Sequence, residues 1–221
     1  MKNLTLIIPA KKEADSLPSV LNEIRDFNCS VIVILESSDI DTIDAIKDFN
    51  CKLVYQSGKG YGNALTEGIK NVKTDYLCIF NADGSFQPKD LNKMLQECEK
   101  ELDFVFASRY LKGGGSDDDT FLTTCGNFIF SSIGNIFFSL KLSDILYTFL
   151  LGKTKSFEKL ALTSDDFCLC VEMPIKAKQN KMNYTDLPSY ERKRIAGHKK
   201  VNEFRDGFKI LIYMIKAFFK F

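Results

Sequence analysis

The sequence predicts an α/β fold in which a mostly parallel central sheet carries helices on both faces. In the first hundred of the 221 residues, short apolar runs alternate with segments whose apolar residues recur at helical spacing, which is typical of such a sheet. The apolar fraction of 45% and the charged fraction of 27% are those of an ordinary globular protein rather than a disordered chain. The length suits a single domain, which we assign to residues 1–221.

Five strands are predicted in the first half, residues 1–110. In chain order these apolar runs are Leu4–Pro9, Ser30–Leu35, Lys52–Tyr55, Tyr76–Phe80 and Asp103–Ala107. Between them, apolar residues recur every three or four positions, as on one face of a helix. The four helical segments are 17–24, 43–49, 65–69 and 91–98. Pro18 and Pro88 lie at the starts of the first and fourth helices, where a missing N–H costs little.

The second half, residues 111–200, begins with a change in composition. Gly113–Asp119 reads Gly-Gly-Gly-Ser-Asp-Asp-Asp, which predicts a mobile acidic loop outside any packed element. An apolar segment (121–142) and an irregular stretch (143–153) follow. Two helices (near 156–162 and 168–180), a strand (near 184–188) and a long C-terminal helix within 201–221 complete the chain.

Charge and cysteine content exclude several classes of protein. A formal net charge of +1 provides no overall basic field for nucleic acid, so we expect no nucleic-acid partner. The seven cysteines form no Cys-x-x-Cys pair, and we expect them to be reduced in a cytoplasmic protein. Charge returns at Lys11 too soon for a signal peptide, and polar residues interrupt Phe121–Leu142, which we interpret as an interfacial or core segment.

Polar residues follow every predicted strand of the first half. Ligands of open parallel sheets bind outside the carboxyl ends of the strands, so we expect these residues to share one rim. They are, strand by strand, Glu13, then Glu36 or Asp39, then Lys59, Asp83 and Arg109. Such a rim suits a diphosphate, because Mg²⁺ or Mn²⁺ is held by one or two carboxylates together with substrate phosphates. Asp83 is then the metal ligand, and Lys59 and Arg109 supply positive charge.

Each motif taken alone also fits a simpler structure. Asn81-Ala82-Asp83-Gly84 could be a strand-ending turn, because Asp and Gly are turn formers. Gly58-Lys59-Gly60-Tyr61-Gly62 lacks the spacing of a phosphate-binding P-loop and could be a flexible turn before a helix. The combination of five strand ends is more specific than any one of them.

An ordered set of motifs resembles a known family. In chain order the motifs are Ile7-Ile8-Pro9-x-x-x-Glu13, Gly58-Lys59-Gly60-Tyr61-Gly62-Asn63-Ala64, Phe80-Asn81-Ala82-Asp83-Gly84, Ala107-Ser108-Arg109-Tyr110 and Glu172-Met173-x-x-Lys176-Ala177. Over roughly residues 1–205 the chain resembles family 2 glycosyltransferases, within them the polyprenyl-phosphate sugar transferases typified by dolichol-phosphate mannose synthase. The resemblance implies a GT-A fold. It also implies a metal-dependent hexosyltransferase that moves a hexose, with inversion, from GDP-mannose or UDP-glucose to a polyprenyl or dolichyl phosphate.

The same resemblance implies a role for individual residues. Residues 1–110 would bind the nucleotide sugar, and residues 111–200 would bind the acceptor. The nucleotide-sugar contacts would be Pro9, Glu13, Glu36, Lys59, Asn81, Ala82 and Asp83. Asp83 would hold Mg²⁺ or Mn²⁺, while Arg109 and Lys199 would contact the acceptor. Arg192 and Arg194 lie in the region of a late basic motif that closes over the substrate phosphates, and would act in catalysis with Asp83 and Arg109.

Four positions depart from the family pattern and bear on nucleotide choice, metal affinity and acceptor. Leu35-Glu36-Ser37-Ser38 stands where the family usually has Asp-Asp-Gly-Ser, and Asn81 replaces the first Asp of its D-x-D motif. Ser85 replaces a Gln, and Leu150 replaces an Arg. A non-catalytic nucleotide-binding protein is therefore an alternative.

The acceptor decides whether catalysis needs a base. A phosphate acceptor is ionised near neutral pH and needs none. A hydroxyl acceptor of a growing glycan would need a carboxylate base, for which Asp165 and Asp166 are candidates. The simpler interpretation is that these two cap the helix that follows them. We interpret His198 as a solvated neighbour of Lys199 rather than a base.

The C-terminal helix carries a separate signal. Arg205, Lys209, Lys216 and Lys220 fall on one stripe of the helix, and apolar residues as far as Phe221 fill the rest. This pattern favours a helix lying in a membrane interface, which would place the protein peripherally at the cytoplasmic face of the membrane. The alternative is a helix packed on the domain with its lysines outward.

Overall fold

The computed structural model describes residues 1–197 and 199–220. Strands and helices alternate through most of this part of the chain. They are β1 (Leu4–Pro9), α1 (Leu17–Ile24), a 3-10 turn (Arg25–Phe27), β2 (Ser30–Leu35), α2 (Ile40–Ile46), β3 (Lys52–Tyr55), α3 (Tyr61–Lys70), β4 (Tyr76–Ile79), α4 (Asp90–Glu99), β5 (Phe104–Ser108), β6 (Gly115–Ser116), α5 (Phe121–Phe138), β7 (Leu150–Lys153), α6 (Thr154–Lys159), α7 (Leu169–Gln179), β8 (Tyr184–Pro188), β9 (Tyr190–Glu191) and α8 (Glu203–Phe218). The predictions for His198 and Phe221 fall outside the described residues.

Seven strands form one sheet in the order β3-β2-β1-β4-β7-β5-β8. Neighbouring strands run parallel except β7, which is antiparallel to both β4 and β5. The predicted α/β class is therefore confirmed, and the five strands of the first half lie within one residue of their predicted bounds. The prediction of an irregular stretch over 143–153 was wrong, because β7 lies inside it. This strand is four residues long and mostly buried, so it shows no alternation that could distinguish it from other apolar segments.

The side chains of the sheet alternate between two apolar cores. In β1, Leu6 and Ile8 face a core shared with α1, α2 and α4, whereas Ile7 faces a core shared with α3, α6 and α7. Ile210 and Met214 of α8 are buried in the second core. Helices therefore cover both faces of the sheet, which leaves the carboxyl ends of its parallel strands as the open edge.

The segment Gly113–Asp119 is part of the packed structure, so its prediction as a free mobile loop was wrong. Gly115 and Ser116 form β6, which pairs in parallel with β9. The Tyr190 hydroxyl donates a hydrogen bond to the Asp117 carboxylate at 2.6 Å. Local composition could not predict this, because the partners of the segment lie far along the chain.

Helices α5 and α8 pack against each other on one side of the domain. Among the described residues, α5 is the one helix whose length and composition would allow it to cross a membrane, and 22% of it is buried in the protein. α8 buries Ile210 and Met214 in the protein, while Phe208 and, just after the helix, Phe219 are exposed; its contact with a membrane stays a prediction.

Candidate active site

A cleft of about 680 Å³ opens at the carboxyl ends of the parallel strands. Nine of the eleven predicted site residues line it, namely Pro9, Glu13, Glu36, Asn81, Ala82, Asp83, Arg109, Arg194 and Lys199. Lys59 and Arg192 are not among the lining residues. Glu13, Glu36, Asp83 and Arg109 therefore share the rim expected from the strand ends, whereas Lys59 of that rim and Arg192 of the late basic segment do not line the cleft.

Asp83 lies in a tight turn directly after β4. Its Oδ1 accepts a hydrogen bond from the Ser85 N–H at 2.9 Å, and its Oδ2 lies 3.6 Å from Nη1 of Arg194. Gly84 has a φ of +81°, and a Cβ there would lie 2.5 Å from Cδ1 of Ile195. The Asn81 side chain donates to the Ser85 hydroxyl at 3.3 Å. The motif is thus a turn in which one Asp83 oxygen accepts a hydrogen bond from the turn itself and the other lies near the Arg194 guanidinium.

The donor set at Asp83 matches one particular mode of metal binding. Within residues 1–197 and 199–220, no group of three His, Cys, Asp or Glu side chains is arranged to hold a metal ion unaided. Mg²⁺ is commonly bound by one or two carboxylates plus substrate phosphates, and keeps several waters. Asp83 therefore fits a cation that shares its coordination with a diphosphate.

The first two strand ends form a polar corner of the cleft. The Glu13 carboxylate is buried and accepts a hydrogen bond from the Ser16 hydroxyl at 2.7 Å, while the Lys200 ammonium lies 3.3 Å from its other oxygen. Glu36 pairs with Lys11 at 2.9 Å. Both carboxylates are thus positioned by local partners.

The glycine-rich segment before α3 packs closely against residues 164–165. Gly60 has a φ of +100°, and a Cβ there would lie 2.3 Å from the Asp165 carbonyl oxygen. The Tyr61 ring lines the cleft and stacks on Phe167, with ring centroids 5.1 Å apart. Lys59 is exposed beside this segment, and its contact with phosphate stays a prediction.

Arg109 is surrounded by three carboxylates. Its Nε lies 2.8 Å from Asp144, and its Nη1 lies 3.0 Å from Asp119 and 3.1 Å from Glu191. Burial lowers the pKa of the Arg109 guanidinium, but these carboxylates outweigh burial and hold the pKa well above its ordinary value. Burial raises the pKa of Glu191 even though Arg109 opposes the shift. The pairing of Asp144 with Arg109 was not predicted from the sequence.

The two late arginines lie in different surroundings. Arg194 contacts Asp118 at 2.6 Å as well as Asp83, and the Lys199 ammonium lies 3.9 Å from the same Asp118. Arg192 instead forms two hydrogen bonds to the Glu23 carboxylate of α1 and one to the Phe86 carbonyl. Arg194 and Lys199 therefore belong to the cleft, whereas Arg192 ties the late segment to α1.

Comparison with known proteins identifies the family. The model of glycosyl transferase family 2 matches residues 5–161, well over half of the chain. The chain belongs to glycosyl transferase family 2.

Relatives and solved structures agree with that assignment. Glycosyltransferase AglJ of Haloferax volcanii is 24% identical over 207 residues, which span 91% of this chain and 67% of AglJ. A UDP-N-acetylglucosamine–dolichyl-phosphate N-acetylglucosaminyltransferase of Methanococcus voltae is 25% identical over 85% of this chain and 84% of its own length. The chain spans about half the length of the mycobacterial glycosyltransferases it also matches. The predicted resemblance to polyprenyl-phosphate sugar transferases is thus confirmed.

A solved structure shows the fold. Glucosyl-3-phosphoglycerate synthase of Mycobacterium tuberculosis, in complex with Mn²⁺, UDP and glucosyl-3-phosphoglycerate, superposes with a TM-score of 0.77 at 10% identity. The match covers 98% of this chain and 80% of that one. The predicted GT-A fold is confirmed.

The cleft of this family 2 glycosyltransferase extends from the polar rim into an apolar arm between α5 and α8. Five apolar side chains line this arm, namely Leu122, Phe130, Leu146, Phe204 and Ile210, together with polar side chains of the same two helices that include Thr123, Arg205 and Lys209. Gly207 of α8 faces the Phe130 ring of α5, because a Cβ there would lie 3.9 Å from that ring, an ordinary van der Waals distance. Sequence reasoning missed the arm, since α5 and α8 are far apart along the chain and their contact is not visible locally.

Asp166 also lines the cleft of this glycosyltransferase, near the start of α7. Its Oδ1 accepts the Cys168 N–H at 3.0 Å, and its Oδ2 lies 3.1 Å from the Lys209 ammonium. Burial opposes the shift, but these hydrogen bonds lower the pKa of the Asp166 carboxyl. The N-cap of α7 is Cys168, so the Asp166 side chain holds the turn before the helix rather than capping it, and it is also open to the cleft.

Proposed function

We propose that this family 2 glycosyltransferase transfers a hexose from GDP-mannose or UDP-glucose to a polyprenyl or dolichyl phosphate at the cytoplasmic face of a membrane. The observation that carries the proposal is the two-part cleft, whose polar rim at the strand ends continues into the apolar arm between α5 and α8. A lipid phosphate needs both parts at once, because its phosphate requires cations and its hydrocarbon requires apolar contacts. The relative from Methanococcus voltae, named for a dolichyl-phosphate acceptor, supports the same reading.

The polar rim is proposed to hold the nucleotide sugar. Pro9, Glu13 and Glu36 would contact the nucleoside, and Asn81, Ala82 and Lys59 the sugar and diphosphate. Asp83 would hold Mg²⁺ or Mn²⁺, which when bound supplies positive charge to the leaving diphosphate. Complexes of the structural neighbour with Mn²⁺ and UDP support this arrangement.

The chemistry follows from charge and alignment. An acceptor phosphate oxygen would attack the anomeric carbon from the face opposite the diphosphate, whose bond to that carbon breaks, so the configuration inverts. The phosphate is already ionised near neutral pH, so no base is needed. Arg109 and Lys199 would orient the acceptor, while Arg194 would stabilise the negative charge of the leaving group and Arg192 would support it by holding the late segment to Glu23.

An exposed apolar surface supports membrane attachment. On α5 and α8 the large exposed apolar side chains include Phe121, Phe128, Ile136, Phe204, Phe208 and Phe219. Exposed apolar patches of this kind mark interaction surfaces. Lys216 and Lys220 are exposed on the same α8 end, where they could meet anionic headgroups. The two helices would therefore rest on the membrane beside the mouth of the apolar arm.

The test is a transfer assay with radiolabelled GDP-mannose and UDP-glucose, Mg²⁺ or Mn²⁺, and a polyprenyl phosphate. Labelled lipid is expected in the organic phase, and the Asp83→Ala variant should lose it. Asp75→Ala is the matched control, because Asp75 lies at the opposite end of β4 and should leave transfer unchanged. Label found only on a soluble glycan would refute the lipid acceptor.

A second candidate function is transfer to a glycan hydroxyl, favoured by the position of Asp166 in the cleft. Asp166 would then remove the hydroxyl proton as a base. Under this hypothesis Asp166→Asn abolishes transfer but keeps nucleotide-sugar binding. A lipid-phosphate transferase would instead keep most of its turnover in the same variant.

A further inference from the structure

Two carboxylates of the segment 113–119 form ion pairs with the cationic side chains that line the cleft. Asp118 lies 2.6 Å from Arg194 and 3.9 Å from Lys199, and Asp119 lies 3.0 Å from Arg109. Both carboxylates are largely enclosed, with side-chain exposures of 15% and 9%. The cations that would receive substrate phosphates are therefore already paired with negative charge from the protein.

The carboxylates are held in place by a structured segment. The N–H groups of Asp118 and Asp119 donate to the Ser116 hydroxyl at 3.1 and 3.0 Å, and that hydroxyl donates to Glu191 at 2.6 Å. Asp119 also accepts a hydrogen bond from the Tyr110 hydroxyl. The segment begins at Gly113, whose φ of +96° lies in the left-handed region that favours glycine. Release of Asp118 and Asp119 would therefore break their hydrogen bonds to Ser116 and Tyr110.

We propose that Asp118 and Asp119 are internal competitors for the anion-binding groups, and that they must leave Arg194, Lys199 and Arg109 before substrate phosphates bind there. Carboxylates and phosphates form the same charge-assisted hydrogen bonds with arginine, and one guanidinium N–H cannot serve both fully. The apparent affinity for a phosphate ligand is then lower than the intrinsic affinity, in proportion to the fraction of molecules in which the carboxylate has left. The inference rests on the proposed function in one respect only, that these cations receive substrate phosphates.

The experiment measures binding of inorganic pyrophosphate, GDP and UDP by titration calorimetry, each with Mg²⁺. Asp118→Asn keeps the shape of the side chain but removes its charge. We therefore expect pyrophosphate and at least one nucleotide to bind about tenfold more tightly, because Arg194 and Lys199 would no longer be paired with a carboxylate in most molecules. Asp117→Asn is the matched control, since Asp117 has the same charge in the same segment but contacts Tyr190. Its affinities should equal those of the wild type.

Equal or weaker binding of pyrophosphate by Asp118→Asn would overturn the inference, because Asp118 would then position Arg194 rather than compete for it. Nucleotide binding that is unchanged in every variant would leave the proposed function intact and refute only the competition. Failure of both nucleotides and pyrophosphate to bind any variant would refute both proposals.

A measurement on the wild-type protein needs no stable variant. If saturating pyrophosphate displaces the segment, hydrogen exchange at the amides of Asp118 and Asp119 should become faster, because their bonds to Ser116 are lost. Exchange that is unchanged or slower would count against the competition.

Discussion

Removal of Arg109 should destabilise the protein strongly, because it leaves three carboxylates without their shared cation. The Asp144 side chain is fully buried, and Asp119 and Glu191 are about one-tenth exposed. Breaking a buried ion pair by removing one partner costs about 3–5 kcal/mol. With a urea m-value of about 2.5 kcal/mol/M, a loss of about 4 kcal/mol would lower the unfolding midpoint of Arg109→Ala by about 1.6 M.

The assay is urea unfolding followed by circular dichroism, with Lys100→Ala as the control. Lys100 pairs with Glu97 at the surface, and exposed pairs contribute about 0–1 kcal/mol. Arg109→Lys should fall between the wild type and Arg109→Ala, because lysine keeps the charge but loses the planar fork of donors.

The pH dependence gives a second check. Burial already raises the pKa of Glu191. An acid whose pKa is raised by folding stabilises the folded state below its unfolded pKa, and this stabilisation is lost as pH rises through its folded pKa. Without Arg109 the shift should grow, so the deficit of the variant should shrink as pH falls from 7 towards 5. A midpoint within about 0.4 M of the wild type at pH 7, equivalent to about 1 kcal/mol, would refute the picture of a desolvated carboxylate cluster.

Three further predictions concern the turn, a buried carboxylate and the apolar surface. Gly84→Val should lower the melting temperature and weaken nucleotide binding, since valine is strained at positive φ and its Cβ would collide with Ile195. Burial opposes the shift, but hydrogen bonds from a lysine and two backbone N–H groups lower the pKa of Glu172. The Glu172 carboxylate therefore stabilises the folded state above its unfolded pKa, and this stabilisation is lost as pH falls through the folded pKa. Glu172→Gln should therefore reduce stability at pH 7 by about 1–3 kcal/mol and by less near pH 3, as measured by urea midpoints. Phe128→Ser should reduce co-sedimentation with anionic vesicles several-fold, whereas Ile40→Ser, an exposed apolar position on α2, should not; equal binding of both would contradict membrane contact through α5.

The strands of the first half could be predicted from sequence because each is a single apolar run between turn-forming residues. The rim could be predicted for the same reason, since parallel strands bring their carboxyl ends to one edge whatever the rest of the chain does. Nine predicted residues therefore line the cleft, although the sequence does not show which of them are in contact with one another. β7 could not be predicted, since its four residues, Leu-Leu-Gly-Lys, are too few and too mixed to show a period.

The partners of the cations were beyond the reach of sequence reasoning. Arg109, Asp144 and Glu191 meet only because β5, the segment before β7, and β9 converge, and no local pattern encodes that meeting. Residue type correctly indicated that Arg109 and Arg194 lie beside the cleft, but charge alone could not reveal that both are paired with carboxylates. Long-range pairing, rather than local propensity, decides which arginines are free.

The order of elements along the chain links membrane contact to the phosphate-binding rim. Arg194 and Lys199 lie in the segment directly before α8, and the N-terminal turn of α8 contributes Phe204 to the apolar arm. A helix resting on a membrane through its exposed phenylalanines would therefore hold this basic segment at the level of the lipid headgroups. A lipid phosphate could then reach Lys199 and Arg194 without leaving the membrane surface, while a soluble phosphate would gain nothing from α8. Truncation of the chain before α8 should for this reason raise the KM for a polyprenyl phosphate far more than the KM for the nucleotide sugar. A proportional rise in both would show that α8 serves only the fold.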